Sequence, residues 1–222
     1  MKILALDSSG LVASVAVVEN DTLLAEYTVN YKKTHSQTLL PMLDEISNMT
    51  ELDLSTIDAI AVAGGPGSFT GLRIGSATAK GLGLALEKPL ISIPTTAAIA
   101  YNIWDTDKFV CPIMDARRNQ VYTGVYCYTD HRLDTVWEQD TMSIEALAEG
   151  LNCLDHEVIF LGDGVAVYRE KLEALLTIPF SFAPAHVNRQ RAAAVGALAE
   201  VYYKEGKIQT AEEHEPEYLR KS

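Results

Sequence analysis

The sequence predicts an α/β protein built from two copies of a β-β-β-α-β-α unit, and three observations support this prediction. Three apolar runs of strand length open the chain, and three more follow Trp104. In each set the first turn carries an aspartate, Asp7 or Asp115. A glycine-rich strand, loop and helix occupy residues 59–86. Because the order of elements recurs while the letters do not, we predict a duplicated unit with lobes at residues 1–104 and 105–222.

The first copy should open with a meander of three strands, because only tight turns separate them. Thr34 can cap the helix that follows, and Pro41 should bend or delay the start of that helix. Lys88-Pro89 should end the next helix. The predicted elements are strands at residues 3–6, 12–18, 22–29, 57–63 and 90–93, with helices at 35–46, 71–86 and 95–103.

The second copy should repeat this order and end in an Ala-rich helix and a charged tail. A tail that carries Tyr218 is expected either to be loose or to dock on a neighbouring protein. The predicted elements are strands at residues 109–114, 120–128, 133–138 and 158–161, with helices at 143–149, 165–176 and 189–204.

Glycines dominate the stretch after the fourth strand: seven of the chain's 14 lie between Gly64 and Gly83. Glycine costs a helix about 1 kcal/mol relative to alanine, so its use here needs a compensating contact. Four small residues recur every fourth position and share one smooth helical face. That face could contact the chain's own core or a partner protein. The four residues are Gly71, Gly75, Ala79 and Gly83.

The loop at Gly64, Gly65 and Gly67 could direct backbone N–H groups at an anion, beside the positive end of the next helix. The alternative is a tight turn without a ligand. A Walker loop is excluded, because Gly71 is followed by Leu72 rather than Lys. A dinucleotide fingerprint fits poorly, since one residue too many separates the glycines.

The first turn, Asp7, Ser8 and Ser9, could hold a phosphate through its donors or Mg²⁺ through its carboxylate. Asp and Ser are also common in turns that bind nothing. His35 stands alone in sequence, and a lone histidine is more often structural than a ligand.

Composition narrows the classes of function. A net charge of −12 over 222 residues disfavours direct, unaided binding of nucleic acid. Three cysteines without a Cys-x-x-Cys pair suggest neither a disulfide framework nor a zinc cluster. The first apolar run is too short for a signal peptide or a membrane span, and we expect a cytoplasmic protein that does not contact membranes.

Several motifs resemble one known family. The chain carries AGGPGSFTGLRIG, the opening ILALDSSG, Thr34-His35-Ser36-Gln37 and the late Tyr218-Leu219-Arg220. These are similar to the TsaB (YeaZ) family, along essentially the whole chain. The resemblance implies a duplicated actin-like (ASKHA, hexokinase/Hsp70-type) fold and a role in forming N6-threonylcarbamoyladenosine (t6A) beside the anticodon of tRNA.

The resemblance also implies that this chain is a non-catalytic subunit. The catalytic paralogue TsaD has the same fold and holds a metal with a His-x-x-x-His pair. The positions that would align with those histidines are Thr95 and Ile99, which are poor metal ligands. We therefore expect no metal site and no tightly bound cofactor in this chain, with ATP and Mg²⁺ acting at the level of the complex.

The expected partners are TsaD and, through it, the ATPase TsaE, with a homodimer when the chain is alone and tRNA bound only indirectly. The family places subunit contact on helices of the first lobe. The predicted contact residues are His35, Leu39, Leu43, Gly71, Gly75, Ala79 and Gly83.

Two enzyme classes remain as alternatives. In an actin-like ATPase or phosphotransferase acting alone, Asp7, Ser8 and Ser9 would handle Mg²⁺ and phosphate, and Asp115 would act as a base. Gly65 and Gly67 would cradle the nucleotide, and Arg73 could meet its phosphate. A peptidase is less well supported, because the sequence offers no nucleophile set between a base and an orienting acid.

Overall fold

The computed structural model of the chain describes residues 1–31 and 37–219. Within these ranges the chain forms two compact units, Met1–Ala98 with Gln190–Tyr218, and Ile99–Arg189 with Leu219. The strands are β1 (Lys2–Asp7), β2 (Val12–Glu19), β3 (Thr22–Asn30), β4 (Ala59–Gly65), β5 (Leu90–Pro94), β6 (Phe109–Asp115), β7 (Gln120–Thr129), β8 (Arg132–Ser143), β9 (Val158–Leu161) and β10 (Phe180–Phe182). The helices are α1 (Leu39–Thr50), α2 (Phe69–Leu86), α3 (Thr95–Ala100), α4 (Ile144–Leu154), α5 (Gly164–Leu175) and α6 (Ala192–Lys204), with a 3-10 turn at Leu54–Thr56.

The first unit is a five-stranded sheet with strand order β3-β2-β1-β4-β5. The meander β1-β2-β3 is antiparallel, and β4 and β5 add in parallel. Leu4 and Leu6 face the core beneath α1 and α2. Since side chains alternate along a strand, Ala5 faces the other side, where α6 approaches so closely that a Cβ on Gly196 would be 3.3 Å from the Ala5 Cβ.

The second unit is a five-stranded sheet with order β10-β9-β6-β7-β8. Read in the other direction, this order is β8-β7-β6-β9-β10, which corresponds strand by strand to β3-β2-β1-β4-β5 of the first unit. Its helices α4 and α5 share one core with Phe160 of β9 and Val125 of β7. The predicted duplication of a β-β-β-α-β-α unit is confirmed, and the fold is the duplicated actin-like one.

Two predictions about organisation are wrong. The lobe boundary is not at 104/105, because the first unit ends at Ala98 and resumes at Gln190. The final helix, predicted in the second lobe, belongs to the first, where α6 packs on β1 and β2. Helix α1 begins at Leu39, and Pro41 lies within its first turn, where a missing N–H costs nothing. The predicted cap Thr34 lies outside the described residues.

Candidate functional site

The glycine-rich stretch forms the turn from β4 into α2, and the N–H groups of Gly65, Ser68 and Gly71 donate to the chain's own oxygen atoms. Ser68 caps α2, its Oγ accepting from the Gly71 N–H at 3.3 Å. The Ser68 N–H itself donates to the Ser9 carbonyl oxygen at 2.7 Å. A Cβ on Gly67 would lie closer than 3.0 Å to that same Ser9 oxygen. The glycine therefore allows the two turns to touch.

The first turn, at Asp7, Ser8 and Ser9, is likewise held by hydrogen bonds within the chain. Oδ1 of Asp7 accepts from the Ser9 N–H at 2.9 Å and from the Ser9 Oγ at 2.7 Å. Ser8 Oγ donates to the Gly71 carbonyl oxygen at 2.9 Å. All three side chains are buried. The structure brings Asp7, Ser8 and Ser9 beside the glycine loop, as predicted, and these bonds are those of an ordinary turn packed against a helix start.

Two other residues predicted to bind phosphate are engaged within the chain. Gly65 has φ +127° and lies so close to the Glu217 carbonyl oxygen that a Cβ there would overlap it. Arg73 is exposed and stacks its guanidinium over the Phe69 ring, 4.0 Å from the centroid. Gly65 and Arg73 thus both have contacts within the chain, and phosphate binding at this loop stays a prediction.

The predicted partner face of α2 is wrong. Gly71, Gly75, Ala79 and Gly83, which we call the inner stripe, are all buried in the chain's own first unit. A Cβ at Gly75 would lie 2.6 Å from Ser8 Oγ. At Gly71 it would overlap the Ser8 carbonyl oxygen, and at Gly83 the Leu90 side chain. The glycines are needed so that α2 can lie close to β1 and β5.

The predicted contact residues on α1 are wrong for the same reason. Leu39 and Leu43 are 1% and 5% exposed and belong to the core beneath α1 and α2. The exposed apolar side chains of this helix are Leu40 at 54% and Met49 at 76%. His35 lies outside the described residues.

A second smooth face runs along the opposite side of α2. Its exposed residues also recur every fourth position, and we call them the outer stripe: Phe69, Arg73, Ala77, Gly81 and Ala85, with Leu84 alongside. A Cβ on Gly81 would meet no atom of the described residues within 4 Å. Gly81 therefore costs α2 stability without serving any packing inside the described chain. Sequence reasoning missed it, although the spacing of residues 73, 77, 81 and 85 was visible.

The tail after α6 is docked on its own unit, so the prediction of a loose tail is wrong, while its docking on a neighbouring protein stays a prediction. Gln209 exchanges both backbone hydrogen bonds with Leu90 at the edge of the sheet, at 2.8 and 2.9 Å. The Glu217 N–H donates to the Gly64 carbonyl oxygen at 2.7 Å. Tyr218 packs on Phe69, with ring centroids 5.1 Å apart. The tail thus covers the glycine loop and one side of α2.

His214 anchors this tail at the flank of α2. It is 1% exposed, and its Nε2 lies 2.7 Å from Ser76 Oγ. Its Nδ1 lies 2.7 Å from Gln209 Nε2. Lys80 donates to the His214 carbonyl oxygen at 2.9 Å. Burial, and then the nearby Lys80 charge, lower the pKa of His214 below its ordinary 6.5, so the ring is neutral at neutral pH.

This Ser76–His214 pair superficially resembles the nucleophile and base of a hydrolase. Both side chains are buried, and Gln209 stands where an orienting carboxylate would be. A substrate could not reach Ser76 without displacing the tail. The arrangement is a structural anchor.

Thr95 and Ile99, the positions that the resemblance to TsaD singled out, lie in α3. Thr95 Oγ1 accepts from the Gly65 N–H at 3.2 Å, and Ile99 is in the core. Both are fully buried. Among residues 1–31 and 37–219, no group of three or more His, Cys, Asp or Glu side chains could hold a metal ion.

In the second unit, Asp115 ends β6 in a polar cluster. Its carboxylate accepts from the Arg117 N–H at 2.9 Å and from the Tyr168 hydroxyl at 3.3 Å. Its own N–H donates to Asp163 Oδ1 at 3.2 Å. Burial raises the pKa of Asp163. These contacts fix the turn after β6.

No helix in the described part of the chain is both long and apolar enough to cross a membrane.

The topology defines the class of protein: a duplicated actin-like α/β fold. An inorganic polyphosphate/ATP-glucomannokinase from Arthrobacter sp. strain KM shares this fold, with a TM-score of 0.52 at 15% identity over 91% of this chain and 99% of that one. YeaZ from Pseudomonas aeruginosa is far more similar, with a TM-score of 0.85 at 27% identity over 98% and 99% of the two chains.

Sequence comparison gives the family. The family model described as "TsaD: tRNA N6-adenosine threonylcarbamoyltransferase" matches residues 22–222. The tRNA threonylcarbamoyladenosine biosynthesis protein TsaB of Bacillus subtilis is 35% identical over 79% of this chain and 77% of its own length. Its Escherichia coli counterpart of the same name is 30% identical over 99% and 95%. The chain belongs to the TsaB (YeaZ) family.

Proposed function

We propose that this protein takes part in forming t6A in tRNA, as a non-catalytic subunit that pairs with a catalytic TsaD paralogue. The observation that carries the proposal is the similarity to proteins named for threonylcarbamoyladenosine biosynthesis, which extends over 99% of the chain in the Escherichia coli case. The match of residues 22–222 to the TsaD family model supports a partner of the same fold. The ATPase TsaE would join through TsaD.

The non-catalytic role is supported by Thr95 and Ile99 of α3. Thr95 Oγ1 accepts a hydrogen bond from the Gly65 N–H, and the Ile99 side chain offers no lone pair to a metal. The closed turn at Asp7 and Ser9 favours a structural role for the residues predicted to hold phosphate. Metal and nucleotide chemistry would then come from the partners.

The outer stripe of α2 is the contact surface that we propose for TsaD. The small residues Ala77 and Gly81 would let a partner helix approach closely, while Phe69 and Leu84, 44% and 56% exposed, supply apolar area. Leu40 and Met49 of the adjacent α1 extend the surface. A stable pairing should bury more than about 1,000 Å². When TsaD is absent, a second copy of this chain would cover the same stripe.

Charge supports an indirect role toward tRNA. A net charge of −12 opposes contact with a phosphate backbone, so other subunits should supply the cations that bind it.

The contact surface is tested by substituting Gly81 and measuring the Kd for purified TsaD from the same organism by calorimetry. Gly81→Arg places a long charged side chain on the outer stripe without touching the core, so the Kd should rise at least about tenfold, or 1.4 kcal/mol. Gly81→Ala is the matched control, because it adds only a methyl group. A Gly81→Arg protein that melts like the wild type and binds TsaD equally well would exclude this surface.

The role in t6A formation is tested in the cell. Depletion of the protein should lower the t6A content of total tRNA, measured by mass spectrometry of nucleosides, and re-expression should restore it. Undiminished t6A after depletion would refute the proposed function. If the purified chain alone turned over ATP, and Asp7→Ala abolished this, an independent ATPase would replace it.

A further inference from the structure

A groove of about 440 Å³ lies between the C-terminal end of α2 and the tail. Ala211 and Gly83 are buried at its base. Leu84 and Ile208 are 56% and 47% exposed. Together with Pro89, these residues give the groove an aliphatic lining. All of them belong to the first unit.

The polar lining of the groove is predominantly acidic. Three carboxylates, Glu87, Glu212 and Glu213, line it against the single ammonium of Lys88. Hydrogen bonds from the Thr210 N–H and hydroxyl lower the pKa of Glu213, so this carboxylate keeps its charge well below neutral pH. The groove is thus aliphatic inside and negative overall.

The end of α2 adds to this negative potential. At the end of the helix, the Gly83 carbonyl oxygen accepts hydrogen bonds from the N–H groups of Glu87 and Lys88. The carbonyl groups of Leu84, Ala85 and Leu86 have no later N–H within the helix. Since α2, which is described throughout, has no basic residue in its last turn, the negative end of its dipole is not offset by a cation on the helix.

We infer that the groove is a docking site for a Lys or Arg side chain of the partner subunit, carried beside an aliphatic residue. The charged end would lie between Glu87 and Glu212, and the methylene stem would lie along Leu84 and Ile208. Leu84 also borders the outer stripe, so the groove continues the proposed contact surface. The inference rests on the proposed pairing with TsaD, and it assigns this pairing a specific ionic contact.

The test is a charge reversal in the groove, Glu87→Lys with Glu212→Lys. Neither side chain has a hydrogen-bond role among the described residues, whereas Glu213 holds the Thr210 turn and is left unchanged. The matched control reverses two exposed acids of the second unit, Glu149→Lys with Glu170→Lys, which changes the net charge equally. Both proteins should melt like the wild type.

The readout is the Kd for TsaD at 50 and 500 mM salt. In low salt the groove variant should bind at least about tenfold more weakly, and in high salt the difference should shrink, because screening removes an exposed ionic contact. The control should change less than about twofold. If the two double variants bind TsaD alike while the wild type binds well, the groove is not a docking site, although the pairing itself stands.

If the wild type does not bind TsaD at all, the proposed pairing fails. Binding of a basic segment to the groove is then tested without TsaD. The probe is then the capped tripeptide acetyl-Leu-Arg-Leu-amide, titrated to millimolar concentration into the ¹⁵N-labelled protein. Saturable shifts confined to the amides of Gly83, Leu84, Thr210 and Ala211, absent from the Glu87→Lys/Glu212→Lys variant, would support a docking site for a basic segment. No shift at these amides would overturn it.

Discussion

The two stripes of α2 both carry small residues four positions apart, at Gly71, Gly75, Ala79 and Gly83 and at Ala77, Gly81 and Ala85, and these small residues have opposite surroundings. The inner stripe, with Gly71 and Gly75, is buried against the chain's own Ser8 and Val62. At the centre of the outer stripe, a Cβ on Gly81 would meet no atom of the described residues within 4 Å, and the tail contacts this stripe only at its Phe69 end among those residues. A smooth helical face therefore does not by itself indicate a partner. Only the surroundings of each glycine separate internal packing from a surface that is left open.

This comparison also changes which variants are informative. A bulky substitution at Gly75 would overlap Ser8 and unfold the first unit, so loss of pairing would say nothing about the surface. The same substitution at Gly81 leaves the core untouched. Four measurements test whether the two sides of α2 differ in this way.

The largest effect is expected for Gly71→Ala. The added methyl group would overlap the Ser8 carbonyl oxygen, which is backbone and cannot move aside cheaply. The overlap should outweigh the gain in helix propensity, so the free energy of unfolding should fall by about 2 kcal/mol or more. Urea unfolding followed by circular dichroism measures it. A variant as stable as the wild type would mean that α2 does not pack closely on β1.

The tail side of α2 should show the next largest effect. Ser76→Ala removes the hydrogen-bond partner of His214 Nε2 and leaves a buried ring nitrogen unpaired, at a cost of about 1–3 kcal/mol. Thr78→Ala is the control, since among residues 1–31 and 37–219 the Thr78 hydroxyl bonds only within the helix, to the Ile74 carbonyl oxygen. If the two variants have equal urea midpoints, His214 does not hold the tail on α2.

A smaller effect is expected from pH. The pKa of His214 is lowered in the folded protein, so the unfolded chain binds the proton more readily. The stabilisation is therefore present above pH 6.5 and lost as pH falls toward the lowered pKa. The urea midpoint of the wild type should decline more steeply between pH 7 and 5 than that of His214→Gln. Parallel declines would show that His214 is not protonated more easily on unfolding.

The smallest effect, and the opposite sign, is expected for Gly81→Ala. Within a single chain Gly81 has no contact to lose, so the protein should gain up to about 1 kcal/mol from helix propensity when it is dilute enough to be monomeric. Thermal melting of the isolated protein measures the gain. Destabilisation would mean that the outer stripe is packed against something in the free protein, such as a second copy, and sedimentation at several concentrations would reveal that copy.

The sequence predicted the strand order of each unit's meander, because periodicity and turn residues are local signals. It also singled out the turn at Asp7 and the loop at Gly65, which the structure brings side by side. It could not decide which face of α2 is buried, because both faces carry small residues four apart. That choice depends on β1 and β5 lying under one of them, which is a long-range property.

The position of α6 could not be read from the sequence for a similar reason. Its Ala-rich pattern fits packing on any sheet, and chain order suggested the second lobe. The residue of α6 that reflects its packing on the first sheet is Gly196, which lies against Ala5 and Val18. The docked tail was missed because its anchor, His214 on Ser76, joins residues 138 positions apart.

The return of Gln190–Tyr218 to the first unit has a consequence for synthesis on the ribosome. The second unit is continuous from Ile99 to Arg189 and can fold as soon as it emerges. The first unit begins earlier but lacks α6 until roughly ninety further residues have been added, which takes about 5–20 s at typical elongation rates. During that interval the apolar side of β1 and β2 that α6 will cover is exposed, and a chaperone that binds nascent chains should be found there.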